Sequence, residues 1–195
     1  MLRLLDFVFS LFGLIILSPF FLFLAIWIKL DSKGSVFYIQ KRVGRNNIEF
    51  KLFKFRSMNS DADKQGLLTV GGRDPRITNS GYFIRKNKLD ELPQLLNVLI
   101  GNMSLVGPRP ELRKYVNYYS TKQLEILNIR PGITDLASIK YKNENEILGK
   151  SIDPEKTYIQ EIMPHKLELN REFIENPTII KYFSIIFRTF FKLNH

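Results

Sequence analysis

From Phe7 to Ile28 the chain runs for 22 residues without a formal charge, most of them Leu, Ile and Phe. About 20 apolar residues are enough for a helix to cross a bilayer, so this run limits the fold more than any other feature. A secretory signal peptide has an apolar region of only about 7 to 15 residues, closed by a small-residue cleavage site. The run here is longer, and it ends in Ile26-Trp27-Ile28-Lys29. A buried core helix is the remaining rival, and the length and apolarity favour membrane insertion over it.

Ser18-Pro19 interrupts the middle of the run. Proline removes a backbone donor and clashes with the preceding turn, so a kink is expected there. Two topologies are open: a full span, or a re-entrant hairpin broken at Ser18 and Pro19. Lys29, Lys33, Lys41 and Arg42 come directly after the run and favour a cytoplasmic position for the domain beyond it. A full span would strand Arg3 and Asp6 on the far side, and the re-entrant form is the expectation. The division expected is a membrane helix over 1–30, a catalytic domain over 31–177 and an amphipathic helix over 178–195.

Beyond the membrane segment, Val36–Gln40 and Ile48–Phe55 read as two strands around a turn at Gly44-Arg45-Asn46-Asn47, a β-hairpin. Residues 59–81 are rich in Asn, Asp, Gly and Ser, with Gly71-Gly72 and Asp74-Pro75, and read as loop. Leu89, Leu92, Leu96 and Leu99 have helical spacing, so a helix is expected over Leu89–Ile100, with Pro93 in its first turn and Gly101-Asn102 at its end. Val106–Pro110 cannot be helical, Glu111–Leu127 can, and Arg130-Pro131-Gly132 is a turn. From Thr178 to Leu193, Lys181, Ser184, Arg188 and Lys192 share one side of a helix and aromatic and aliphatic residues fill the rest. That pattern suits a helix lying in a membrane interface; a helix capping the core has a similar wide apolar arc. The class expected is α/β in the α+β sense.

Charge narrows the partners. Lys and Arg exceed Asp and Glu by 29 to 19, a formal charge of +10, which calls for an anionic partner: nucleic acid, a membrane surface or a phosphorylated substrate. Between residues 36 and 60 six basic residues face one acidic residue, beside the membrane run, where they read either as a solvated strand face or as phosphate and headgroup contacts. The chain has no Cys and two His, which excludes a thiol nucleophile and thiolate zinc sites. No nucleic-acid-binding motif is present, and the aromatic residues gather at the membrane ends instead of between basic ones.

Asp90-Glu91 alone is an ordinary pair for a helix's first turn. Lys54, Arg56, Arg85, Lys86 and Arg109, in or beside turn-rich segments, change its meaning. Guanidinium groups offer a planar fork to phosphate oxygens, and a carboxylate can act as a nucleophile at phosphorus through an acyl-phosphate. Residue types alone therefore point to phosphoryl chemistry at a membrane.

The ordered strings Lys54-Phe55-Arg56-Ser57-Met58, Asp74-Pro75-Arg76-Ile77-Thr78, Leu89-Asp90-Glu91-Leu92-Pro93-Gln94-Leu95, Met103-Ser104-Leu105-Val106-Gly107-Pro108-Arg109-Pro110 and Arg130-Pro131-Gly132-Ile133-Thr134 resemble the bacterial sugar transferases, the small monotopic phosphoglycosyl transferases that begin glycan assembly. The resemblance implies a re-entrant helix broken at Ser18-Pro19 and an active site on the cytoplasmic face of the bacterial inner membrane. It also implies transfer of a sugar 1-phosphate from a UDP-sugar to polyprenyl phosphate with release of UMP. Asp90 matches the nucleophile and Glu91 its partner, the two being candidate ligands for Mg²⁺. Lys54, Arg56, Arg85, Arg109, Thr134 and Lys142 are the candidate contacts to substrate phosphate or nucleotide. After Thr134 many relatives read Gly-Trp-Ala-Gln and later Gly-Arg-Asn, where this chain has Asp135-Leu136-Ala137-Ser138 and Tyr141-Lys142-Asn143. That departure bears on nucleotide and sugar contacts. At 195 residues a minimal catalytic unit is expected, with membrane lipids as partners, no nucleic acid, and exposed apolar helices that could pair two copies. The alternatives are a conventional membrane glycosyltransferase that releases UDP and a basic, membrane-anchored binding module without catalysis.

Overall fold

The computed structural model describes residues 2–62 and 74–193, so Gly71-Gly72 of the expected loop lie outside the described residues. The apolar run forms one helix, α1 (Leu2–Asp31), that continues through Ser18 and Pro19. The interruption expected at that pair is not an interruption of helical structure. Ser18 Oγ donates to the Ile15 carbonyl at 2.8 Å, a local bond typical of serine inside apolar helices. Leu4, Phe12, Ile15, Ile16, Leu22, Phe23, Ile26 and Leu30 are exposed along α1, far more apolar surface than a helix in water normally leaves uncovered.

The few buried residues of α1 show what it rests on. Near its start, Asp6 accepts from Ser104 Oγ and the Leu105 amide at 2.9 Å and from Tyr182 Oη at 2.7 Å. Near its end, Leu24 and Ile28 pack with Phe55 and Ile84, and Asp31 accepts from the amide and hydroxyl of Ser80. Both ends of the helix are therefore fastened to the rest of the chain.

The hairpin appears as expected, with β1 (Phe37–Val43) antiparallel to β2 (Glu49–Phe55). Its connection is closed by left-handed Asn46 and Asn47, a conformation asparagine tolerates. The expected Leu89–Ile100 helix is split. Leu89–Glu91 is a 3₁₀ turn and α3 is Gln94–Ile100. Pro93 has no N–H to return to the Leu89 carbonyl, and the Leu92 amide takes that carbonyl instead. Gly101, at φ +95°, closes α3 as glycine can without strain.

Other expectations need correction. Asn79–Lys86 is a helix, α2, started by Thr78, whose hydroxyl accepts from the Gly81 amide; the polar residues that read as loop are its cap. The expected Glu111–Leu127 helix breaks into α4 (Arg113–Val116) and α5 (Thr121–Leu124). Ser120 and Gln123 form a reciprocal capping box that starts α5 afresh. A short parallel sheet of β3 (Ser104–Val106) and β4 (Gly132–Thr134) has no counterpart among the expected elements. Its strands touch through glycine: a Cβ on Gly132 would lie 2.1 Å from the Gly107 nitrogen.

The remaining chain forms α6 (Leu136–Lys140), α7 (Glu144–Gly149), α8 (Pro154–Thr157), a π-turn over Tyr158–Ile162, α9 (Met163–Glu175) and α10 (Ile179–Leu193). The π-turn precedes Pro164, whose missing donor already breaks the helical ladder. In α10 one part caps the core and the rest is left uncovered. Tyr182 and Ile185 are buried with Val106 and Phe173, while Ile180, Phe187, Phe190 and Phe191 remain exposed. The fold is thus a mixed helix and sheet structure carrying a long apolar N-terminal helix, consistent with a membrane anchor.

Candidate active site

The 3₁₀ turn before α3 sits on a division of polarity. Leu89 and Leu92 pack against α1's aromatic and aliphatic face, which directs Asp90 away from it into a cleft of about 240 Å³. The cleft lies between the hairpin, the end of α2 and the segment after β3, and its wall includes Lys54, Arg56, Arg85, Asp90 and Arg109.

Glu91 is clamped. Arg109 grips it with both terminal nitrogens, one at 3.0 Å from Oε2 and the other on Oε1. Lys54 Nζ reaches Oε1 at 3.3 Å. Burial by itself would raise the Glu91 pKa, but the Arg109 and Lys54 charges outweigh it and hold the carboxyl well below its ordinary value. Lys54 shifts downward: burial favours its neutral form more than Glu91 opposes this.

Asp90 is the opposite case. Its side chain is buried, yet among the described residues no hydrogen bond reaches its carboxylate. Burial raises its pKa, Lys54 pulls it back and the Glu91 charge adds to the rise. The pKa values of two adjacent carboxylates are thereby pushed apart, Glu91 downward as a held anion and Asp90 upward as an unbonded base or nucleophile facing the cleft.

The remaining predicted residues divide. Arg85 lines the cleft, and its charge acts on Asp90. Arg56 also lines it, but its terminal nitrogens are committed to the carbonyls of Ser32 and Lys33 at 2.7 and 2.8 Å, where it caps the end of α1. Thr134 does not reach the cleft wall: it is buried and shares a 2.6 Å hydroxyl bond with Thr189 of α10. Lys142 is not on the wall either, although Glu144 and Asn145 are.

Several contributors were not among the candidate site residues. Asp135, the first departure residue, caps α6 and accepts from the Arg109 amide and from Asn170, both at 2.8 Å. It therefore fixes the backbone from which Arg109 reaches Glu91. Arg42 donates to Glu111 at 3.1 Å, and Tyr158 donates to the other Glu111 oxygen, bracing the far wall with the Lys166–Glu144 ion pair. Only the adjacency of Glu111 to Pro110 could have drawn attention to this group.

Among the described residues no group of three His, Cys, Asp or Glu forms a metal cage. Magnesium is commonly held by one or two carboxylates together with substrate phosphates and water, and that donor set fits here. Asp90 lines the cleft with no hydrogen bond on its carboxylate among the described residues, whereas Glu91 is not on the cleft wall and is engaged by Arg109 and Lys54, so Asp90 is the carboxylate placed to take part.

A family model for bacterial sugar transferases matches residues 1–195. The chain is 49% identical over 109 residues to a Bacillus subtilis (strain 168) protein provisionally named undecaprenyl-phosphate N-acetylgalactosaminyl 1-phosphate transferase, covering 56% of this chain and 61% of that one. It is 36% identical over 179 residues to the Aeromonas hydrophila UDP-N-acetylgalactosamine-undecaprenyl-phosphate N-acetylgalactosaminephosphotransferase, covering 88% and 38%. It is also 33% identical over 195 residues to the Escherichia coli (strain K12) UDP-glucose:undecaprenyl-phosphate glucose-1-phosphate transferase, covering 96% and 39%. The match thus spans less than two thirds of the length of each of these relatives.

Proposed function

The chain belongs to the bacterial sugar transferase family, and from this membership we propose that it transfers a sugar 1-phosphate from a UDP-sugar to polyprenyl phosphate and releases UMP. The observation that carries the reading is the pair of unlike carboxylates: Glu91 spent on Arg109 and Lys54, Asp90 buried, unbonded and facing a cationic cleft.

In the first step an Asp90 oxygen attacks the β-phosphorus of the donor. The new bond joins that oxygen to phosphorus, the bond to the bridging oxygen breaks, and UMP leaves with the electron pair. In the second step a phosphate oxygen of the lipid attacks the same phosphorus, the Asp90–phosphorus bond breaks, and the sugar diphospholipid departs. Arg109 and Lys54 carry one more positive charge than Glu91 neutralises, and Arg85 stands near Asp90, so charge developing on the diphosphate meets fixed cations. Asp90, with the diphosphate of the donor, would hold magnesium, whose charge would screen the repulsion between the diphosphate and the attacking carboxylate.

We also propose that α1 enters the bilayer and returns, with the catalytic domain at the cytoplasmic face of the inner membrane. Supporting this, Arg3 and Asp6 at one end and Asp31 at the other all bond to the same domain. The exposed aromatic end of α10 would lie in the same interface.

The test is nucleotide release from a panel of UDP-sugars by detergent-solubilised protein with Mg²⁺, with and without polyprenyl phosphate, for the wild type and Asp90→Asn. UMP from the wild type alone, with repeated turnover only when lipid is present, is the expected result. UDP in place of UMP would replace the reading with ordinary glycosyl transfer.

A further inference from the structure

Lys54 and Glu91 lie 3.3 Å apart, yet they belong to separate pieces, the hairpin and the turn before α3. A two-stranded hairpin is marginal by itself, and its apolar contact with α3 through Leu52, Val98 and Met103 has no direction. Something else must set how far β2 slides along α3. Asn97, fully buried on α3, lies against the edge of β2 that β1 leaves open. Its Oδ1 accepts from the Phe53 amide at 2.9 Å, and its Nδ2 donates to the Lys51 carbonyl at 2.7 Å. One side chain thus does the work of a third strand, with two attachment points one and three residues before Lys54.

The helix carrying Asn97 is itself held. Arg3 donates to the carbonyls of Val98 and Leu99 at 2.5 and 2.9 Å, and Arg130 donates to that of Gly101 at 2.9 Å. We propose that Asn97 is a positioning residue that sets Lys54 against Glu91 by pinning the β2 backbone to α3. Satisfying a buried strand edge requires any suitable polar group; setting its position requires this length of side chain. The inference rests on the reading of Lys54 and Glu91 as part of the active site.

The experiment compares Asn97→Ala, Asn97→Gln and Val98→Ala with the wild type. Val98 is the adjacent buried residue, and its truncation weakens the same packing without touching the two strand bonds. Three readouts are taken: kcat and KM for UMP release, acylation of Lys54 by an amine reagent at one pH, and amide exchange across 49–55. Asn97→Ala is expected to lower kcat by about 100-fold, the scale of an ångström-level misplacement, with a much smaller change in KM. Lys54 should acylate faster and β2 exchange faster. Asn97→Gln can still bond the edge but from one methylene further, so it should melt above Asn97→Ala, below the wild type by the cost of an added methylene in a full core, and still lose kcat.

Full activity in Asn97→Gln, or an equal kcat loss in Val98→Ala at matched thermal stability, would reduce Asn97 to a structural role. Unchanged Lys54 acylation in both Asn97 variants would overturn the proposal. Should the wild type release no UMP from any donor, the functional reading fails, while acylation and exchange still decide whether Asn97 positions Lys54.

Discussion

Replacing Glu91 by Gln keeps the shape of the side chain and removes the charge between Lys54 and Arg109. Only 13% of the Glu91 side chain and 16% of the Lys54 side chain are exposed, with 33% of Arg109, so water cannot fully take over. Breaking a buried ion pair from one side costs about 3–5 kcal/mol because the partner is left uncompensated, against about 0–1 kcal/mol for a pair at the surface. For a chain of this size that corresponds to roughly 6–20 °C in Tm, read by intrinsic fluorescence on detergent-solubilised protein at neutral pH. The double variant Glu91→Gln with Lys54→Met should recover part of the loss, since one stranded cation is gone. The dependence on pH has a definite sign. Glu91's folded pKa lies below its ordinary 4.5, so its contribution is present above that value and is lost as pH falls through the folded pKa. A Tm change of a degree or less for Glu91→Gln would refute the claim that the clamp is buried and under electrostatic load.

Asp90 should behave in the opposite sense. Its folded pKa lies above the ordinary 3.8, so it favours the folded state below that value and loses this contribution as pH rises through the folded pKa. Asp90→Asn is therefore expected to melt higher than the wild type at neutral pH while losing turnover, and the wild-type kcat/KM should fall on an acid limb lying above the usual aspartate range. Asp6→Ala leaves Tyr182 Oη and the Leu105 amide without their acceptor, at about 2–6 kcal/mol for two buried groups, measurable as lowered thermal stability. Gly132→Ala would force a methyl group into the Gly107 backbone and should cost about 1–3 kcal/mol or more, seen as loss of folded yield and Tm. Because the chain has no Cys, a single cysteine at position 2 can be labelled cleanly in membranes; protection from an impermeant reagent added outside is expected, and outside labelling would reject the re-entrant form.

Asp90, Glu91, Lys54 and Arg109, which the structure brings together, drew attention in the sequence only as members of one ordered set of motifs, since a carboxylate pair at the start of a helix is ordinary by itself. Arg56 belonged to the same motif set and lines the cleft, yet its terminal nitrogens cap α1, since a guanidinium serves carbonyl oxygens as readily as phosphate. The hairpin and the C-terminal helix were visible through their periodicities, whereas β3 and β4, at three residues each, are too short to show one. The division of 111–127 was written in Ser120 and Gln123, a pair obscured by the apolar residues around it. Thr134 belonged to a motif but faces α10, because alternate residues of a strand face opposite ways. Asn97 gave no warning, and Asp135 stood out only as a departure from the common pattern and not as the support of Arg109: a single amide or carboxylate acquires its role only when a distant backbone arrives beside it.

The bond between Asp6 and Tyr182 joins residues 176 apart in sequence, and this gives the molecule a timetable. At about 5–20 residues per second, a ribosome needs roughly 9–35 s to supply Tyr182 after Asp6 has emerged. On the proposal that α1 enters the membrane, the helix meets lipid during that interval carrying a carboxylate whose partners Ser104 and Leu105 arrive about halfway through it and whose partner Tyr182 arrives only at its end. Under that proposal membrane entry precedes closure of the fold, and the nascent chain would be held at the bilayer before Tyr182 is there to finish the fold.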